Sequence, residues 1–235
     1  MVNPFMTKPK VTFITSIVNM KWVDQCRYYL ETEVKTPHEW LVLDNTEPRP
    51  ISFAAANNFL AKEVTTEFIA FLNDDIIMLD DPLPDMLKEF EDPKIGLVGT
   101  KLSYPNWRIQ HGGVGFGTGK GELLPGHMEA EAIDIGQVEK KNYVPVTFAL
   151  AITRKSLFDS LGGLAEMYIN GFEDLDYCFK VLEAGYESVY VPTVPIIHVA
   201  HGSRTTERDE YNWGLFKGKW HNKLMAIQRS LSGKV

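Results

Sequence analysis

The chain has 235 residues, 44% of them hydrophobic and 23% charged, with a net charge of −7. That length suits one α/β domain or two small ones around a real core. The acidic balance argues against a nucleic-acid binder, which normally shows a basic surface.

The two cysteines, Cys26 and Cys178, each sit in an apolar helical pattern. So separated a pair makes neither a disulfide framework nor a zinc site. They read as buried free thiols of a reducing compartment. No stretch approaches the roughly 18 apolar residues that cross a bilayer, and residues 1–10 carry no apolar signal-peptide core. The expectation is a cytoplasmic protein, with room for peripheral membrane contact.

Residues 11–18, "VTFITSIV", are β-branched and apolar and predict a buried strand. Trp22, Val23, Cys26, Tyr29 and Leu30 then recur at helical spacing. Residues 40–43 predict a second short strand, ended by Asp44 and Asn45. Residues 54–62 predict a helix with Ser52 as its N-cap. "FIAFL" at 68–72 is a third strand, broken off by Asn73-Asp74-Asp75. Residues 83–90 are helical, with Pro82 and Pro84 at the start, and 95–100 form a fourth strand.

Alternating strands and helices imply a parallel, doubly wound sheet with right-handed crossovers. Ligands of such sheets bind beyond the carboxyl ends of the strands. Asn19, Asp44 and the Asn73-Asp74-Asp75 cluster all fall at strand ends, so the fold gathers them on one edge.

The second half is less regular. Residues 104–142 are glycine-rich without a period. The Gly112–Gly126 stretch suits either a mobile lid over a bound ligand or an ordinary exposed hairpin. Residues 144–153 predict a strand, 155–161 a short helix ended by Gly162-Gly163, 173–184 a helix closed by Gly185, and 188–191 a strand. With no internal repeat and no low-complexity linker, the chain reads as one domain with two lobes, 10–103 and 104–205, and a C-terminal tail, 206–235.

Two adjacent carboxylates repel unless a proton or cation lies between them. Hard divalent cations such as Mg²⁺ and Mn²⁺ resolve this, typically with one or two carboxylates plus phosphate oxygens. A strand-ending turn is the structural alternative. A second acidic group, Glu173, Asp174 and Asp176, opens the helix that follows Gly171. Helix-dipole complementation accounts for acids there equally well. "IIHVAHGSR" at 196–204 then sets His198 and His201 beside Ser203 and Arg204, a grouping that suits phosphate.

These segments resemble glycosyltransferase family 2. "SFAAANNFLAKEVTTEFIAFLNDDI" resembles the donor half, its Asn-Asp-Asp standing in the place of the aspartate-x-aspartate-type metal motif. "VTFALAITRKSLFDSLGGLAEMYINGFEDLDYCFKVLEAGYESVYVPTVPIIHVAHGSR" resembles the acceptor half, with its Glu-Asp pair and late histidine. "IQHGGVGFG" followed by His127 is similar to the rhamnosyl- or O-antigen-type subset. The resemblance covers roughly residues 10–205. The chain departs from it in three places. Its first strand runs into Thr15-Ser16-Ile17-Val18-Asn19 without the usual proline. Gly162-Gly163-Leu164-Ala165 replaces Gly-Gly-Phe-Asp. No Gln-x-x-Arg-Trp motif occurs, which argues against a processive synthase.

The resemblance implies a GT-A fold, Rossmann-like and mostly parallel, with a smaller mixed acceptor-side sheet. It implies inverting transfer of a sugar from a nucleoside-diphosphate donor, UDP- or dTDP-linked, to a hydroxyl of a glycan or lipid-linked acceptor, with Mn²⁺ or Mg²⁺. Asp75 is expected as the direct metal ligand, with His198 and then His201 as metal or diphosphate contacts. Asp74 is expected toward the donor ribose or sugar, and Asp44 toward the base or ribose. Asn19, Asn58 and Arg204 are further donor contacts. Asp174 is the expected general base, with Glu173 as its alternate. The tail, with Trp213, Phe216 and Trp220 among lysines, suits either packing on the domain or an interfacial helix. Two rival readings are a non-catalytic nucleotide-sugar binder and a metal-dependent phosphohydrolase built on the same acids.

Overall fold

A computed structural model describes residues 8–46, 48, 50–119, 122–127, 141–142, 145–199 and 206–231. The chain runs β1 (Val11–Ile17), α1 (Met20–Glu33), β2 (His38–Asp44), α2 (Phe53–Ala61), β3 (Phe68–Leu72), β4 (Ile76–Met78), α3 (Leu83–Lys88) and β5 (Ile95–Thr100). It continues through β6 (Leu102–Ser103), β7 (Ile109–His111), β8 (Val114–Gly119), β9 (Glu122–His127), β10 (Lys141–Asn142), β11 (Leu150–Arg154) and α4 (Lys155–Ser160). The last elements are α5 (Glu173–Glu183), β12 (Glu187–Val191), β13 (Ile196–His198) and α6 (Thr206–Leu231).

Seven strands form the main sheet in the order β10-β12-β5-β11-β3-β1-β2. Strands β1, β2 and β3 run parallel, as do β5 and β12. Strand β11 is antiparallel to both β3 and β5, so those two share one direction and the sheet is mostly parallel. Because β11 is inserted between strands of the first half, the two sequence halves share a single sheet. The expected strand at 144–153 begins only at Leu150, since the Pro145 carbonyl is taken by the Val114 amide.

Strand β3 shows why the central strands read as continuous apolar runs. All five of its residues are buried, and covered sheets need apolar residues on both faces. Phe68, Ala70 and Leu72 enter one core, while Ile69 and Phe71 enter the other. A second, mixed sheet, β4-β13-β6-β7, packs across the carboxyl edge, and β8 pairs with β9 as a hairpin. The Gly112–Gly126 stretch is thus largely that hairpin.

Helix α6 closes a third core. Phe216, Trp220 and Leu224 are buried against Phe179 of α5, with ring centroids 5.0 Å from Phe216 and 5.4 Å from Trp220. Asp176, fully buried, accepts from Trp220 Nε1 at 2.7 Å and from the Tyr168 hydroxyl at 3.0 Å, and pairs with Lys219 at 2.8 Å. Phe216 and Trp220 of the tail are therefore inside the molecule, and Trp213 is partly buried against them. No described helix is long and apolar enough to cross a membrane.

Candidate active site

The carboxyl edge opens into a cleft of about 460 Å³. Its wall includes Asn19, Asn45, Asp74, Asp75, Gln110, His111, His127, Asn170, Glu173, Asp174 and His198. Residues from both sequence halves line it.

The acidic cluster is held from two sides. Asp74, 5% exposed, accepts from the Val18 amide at 2.8 Å and the Asn19 amide at 3.0 Å, tying β3 to the start of α1. Burial raises the Asp74 carboxyl above its ordinary range, with the Asp75 charge adding to it, while the two amides pull it back. Asn19 itself is the N-cap of α1, accepting from the Lys21 amide.

Asp75, 6% exposed, faces His198. Asp75 Oδ1 lies 3.2 Å from His198 Nε2. The other ring nitrogen, Nδ1, is 2.6 Å from Gln110 Oε1. An amide oxygen only accepts, so Nδ1 carries the proton. In the neutral ring, Nε2 then presents a lone pair toward the Asp75 oxygen, and it also accepts from Asn73 Nδ2 at 3.4 Å. Two lone pairs at that distance call for a proton or a cation between them. Metal-ligating histidines characteristically donate their second N–H to a fixed acceptor, as His198 does to Gln110. Asp75 and His198 therefore fit a divalent cation. Among the described residues there is no group of three or more His, Cys, Asp or Glu placed to hold a metal. Two protein ligands plus phosphate oxygens is an ordinary set for Mg²⁺ or Mn²⁺.

On the acceptor-half wall, Glu173 and Asp174 open α5. Phe172, the residue before them, has φ 75° and supplies no side-chain cap. Glu173 Oε2 accepts from the Gly171 amide at 2.6 Å, and Glu173 is 6% exposed. Asp174 is half-buried, and its Oδ1 accepts from the Leu175 amide. Nearby, His111 Nδ1, at the end of β7, lies 2.8 Å from His127 Nδ1 at the open end of the β8–β9 hairpin.

Two expected donor contacts stand elsewhere. Asp44 is exposed and outside the cleft wall. Its carboxylate accepts from the Thr46 amide and hydroxyl, which holds the carboxyl below its ordinary range. The next residue, Asn45, takes the place in the wall, buried and bonded to Ser16 Oγ and to both backbone groups of Ile51. Asn45 is the first residue past β2, and its bonds to Ser16 and Ile51 turn it into the cleft while Asp44 is held by Thr46. Asn58 is likewise absent from the wall. It bonds the Leu164 amide and carbonyl and Glu166 Oε1, fixing the turn after α4. His201 and Arg204 lie outside the described residues.

Sequence reasoning missed Asn45, Gln110 and Asn170, and named no role for His111 or His127. Their signal was a faint one: Gln110 and His111 stand in "IQHGGVGFG", and no local pattern ties either to His198 or Thr147.

Residues 23–161 match the model of glycosyl transferase family 2. The chain belongs to glycosyltransferase family 2. An uncharacterized protein, y4gI, of Sinorhizobium fredii (strain NBRC 101917 / NGR234) is 35% identical over 167 residues, which is 68% of this chain and 18% of that protein. The O-antigen biosynthesis protein RfbC of Myxococcus xanthus is 29% identical over 167 residues, 69% of this chain and 13% of that protein. The family 2 chain thus spans under a fifth of the length of these two relatives. Among solved structures, the mannosyltransferase PcManGT from Pyrobaculum calidifontis, in complex with GDP-Man and Mn²⁺, superposes with a TM-score of 0.60 at 15% identity, covering 88% of this chain and 63% of that one. At that identity the likeness shows the fold, which is GT-A.

Proposed function

We propose that this family 2 domain transfers a sugar from a nucleoside-diphosphate donor to a hydroxyl of a glycan or lipid-linked acceptor, with inversion. The observation that carries the reading is the pairing of Asp75 with His198 in one cleft with Asp174. The charges agree. The described wall holds four carboxylates, Asp74, Asp75, Glu173 and Asp174, and no lysine or arginine. A diphosphate entering it needs a partner cation.

In this reading Asp75 and His198 hold the divalent cation, Mn²⁺ or Mg²⁺, and Gln110 fixes the ring. When bound, such a cation neutralises charge on the departing diphosphate. Asp74 stays attached to the start of α1 and shapes the floor. Asn19 and Asn45 lie where a nucleoside would sit, with UDP or dTDP as the expected nucleotide. Asp174 takes the acceptor proton as the acceptor oxygen attacks the anomeric carbon and the carbon–oxygen bond to the diphosphate breaks. Glu173 is the less suitable base, because it is buried at 6% exposure while Asp174 is only half-buried and each already gives one oxygen to a backbone amide. The name of the Myxococcus relative supports an acceptor in surface polysaccharide assembly, and such an acceptor suits work inside the cell at a membrane surface.

The rivals differ in the cleft. A nucleotide-sugar binder has no use for a carboxylate at the Asp174 position. A two-metal phosphohydrolase needs more ligands than Asp75 and His198 provide. Incubation with a panel of nucleotide sugars and Mn²⁺, following nucleoside diphosphate release with and without acceptor sugars, separates them. Acceptor-dependent release supports transfer. Nucleotide binding without release makes the chain a binder. Release of inorganic phosphate from the nucleotide makes it a hydrolase.

A further inference from the structure

We infer that Asn212, on helix α6, is a positioning residue for Asp174. This rests on the transfer reading above. Helix α6 lies beyond the matched residues 23–161, yet it grips the segment that carries the acidic pair at both of its ends.

Ahead of the pair, Asn212 is fully buried. Its Oδ1 accepts from the Ile169 amide at 2.9 Å, and its Nδ2 donates to the Ile169 carbonyl at 3.1 Å. One side chain thereby satisfies both backbone groups of one loop residue, as a neighbouring strand would. Beyond the pair, Asp176 is held by Trp220 and Lys219 of the same helix. Between these anchors the backbone is in an uncommon state. Asn170 has φ 46° and Phe172 has φ 75°. Asparagine tolerates the left-handed region, but phenylalanine there is an outlier that persists only where its surroundings impose it. The surroundings are again α6: the Phe172 ring lies 6.0 Å from Trp213 and 5.8 Å from Phe216.

The strained turn has a geometric result. It brings Asn170 into the cleft wall, where its Oδ1 accepts from the Phe53 amide at the start of α2. It also points the start of α5, with Glu173 and Asp174, at the same cleft. Without the clamp the loop would relax toward ordinary φ, and Asp174 would move relative to the acidic cluster on β3. Misplacement of a catalytic group by about 1 Å is enough to cost a large factor in rate while leaving the distant donor contacts intact.

The test uses the full chain and the isosteric variant Asn212→Asp, which keeps one hydrogen bond and turns the other into a repulsion with the Ile169 carbonyl. Three readings are taken: hydrogen exchange of peptides covering 165–176, binding of UDP with Mn²⁺, and steady-state transfer with the donor found by the nucleotide-sugar panel. The expected result is faster exchange at 165–176 with no change in the central strand β1, 11–17. UDP affinity and donor KM stay within about twofold, and kcat falls on the order of tenfold or more. Unaltered kcat with faster exchange overturns the inference, and so does unaltered exchange. If Asn212→Asp does not fold, Asn212→Ser takes its place: it keeps a small polar group but is too short to hold both backbone groups of Ile169, and the same outcomes apply. A wild-type chain that turns over no nucleotide sugar defeats the transfer reading itself. A wild type that transfers beside a fully active variant defeats only the role of Asn212.

Discussion

Gln110 holds His198 at two points: its Nε2 donates to the His198 carbonyl at 3.3 Å, and its Oε1 accepts from the ring at 2.6 Å. The first bond orients the amide so that the second can only be an acceptance. The imidazole is left with Nε2 toward Asp75. Replacing Gln110 with leucine keeps the bulk and frees the ring to take the other tautomer. Mn²⁺ affinity, read from the melting temperature across a Mn²⁺ titration in the presence of UDP, is expected to fall about 10- to 100-fold. Equal affinity in the Leu variant would remove Gln110 from the site.

Asp75→Asn removes one charge without changing shape. Transfer is expected to fall by two orders of magnitude or more, with about the same melting temperature in metal-free buffer. The Mn²⁺-induced rise in melting temperature should vanish with it. An active variant with wild-type metal dependence would show that Asp75 is not the ligand.

Asp174→Asn separates base from helix start, because the asparagine Oδ1 can still accept from the Leu175 amide while the amide group cannot take a proton. The expected outcome is a fold near wild type, UDP affinity within a few-fold and a transfer rate down roughly 10²-fold or more. Near-normal transfer would exclude Asp174 and pass the role to Glu173.

Asp44 and Asn45 test the strand offset. Asp44→Ala removes an exposed turn contact and is expected to leave UDP affinity within about twofold. Asn45→Ala strands buried partners at Ser16 and Ile51, which should lower the stability of the fold by about 1–3 kcal/mol, and it opens the cleft wall, so UDP binding should weaken as well. Calorimetric titration of both variants decides it. A larger loss from Asp44→Ala would put the base contact back on Asp44.

Cys26 is 1% exposed, and burial, helped by the Asp74 and Asp75 charges, pushes its thiol up to about 12. At pH 8 the thiolate fraction is on the order of 10⁻⁴. A thiol reagent such as DTNB should therefore leave Cys26 untouched in the native chain and titrate it on unfolding. The linkage sign follows. The unfolded thiol ionises near 9.0 and the folded one near 12, so the contribution of Cys26 to stability is complete below pH 9 and declines as pH rises toward 12. Rapid native labelling at pH 8 would contradict this.

The sequence by itself determined the parallel frame and the edge on which the acidic residues gather. Runs such as 68–72 are apolar throughout because their strands are covered on both faces, and parallel strands end on one edge. Asp74, Asp75 and Asn19 were legible for that reason, since strand ends are local features. The helix from Glu173 and the Ser52 cap were legible too, being set by spacing and by one side chain; the cap bonds the Ala55 amide as expected.

Only the tertiary structure decided which neighbours those residues meet. Gln110 reaches His198 across 88 positions, and Asn212 reaches Ile169 across 43. Such pairings depend on strand register and helix docking, which leave no periodic trace. The insertion of β11 between β3 and β5 was hidden for the same reason: an apolar run shows burial but not direction. Asp44 and Asn45 make the limit plain. Asp44 ends β2 and Asn45 follows it, and their partners, Thr46 for one and Ser16 with Ile51 for the other, leave the first in solvent and the second in the cleft.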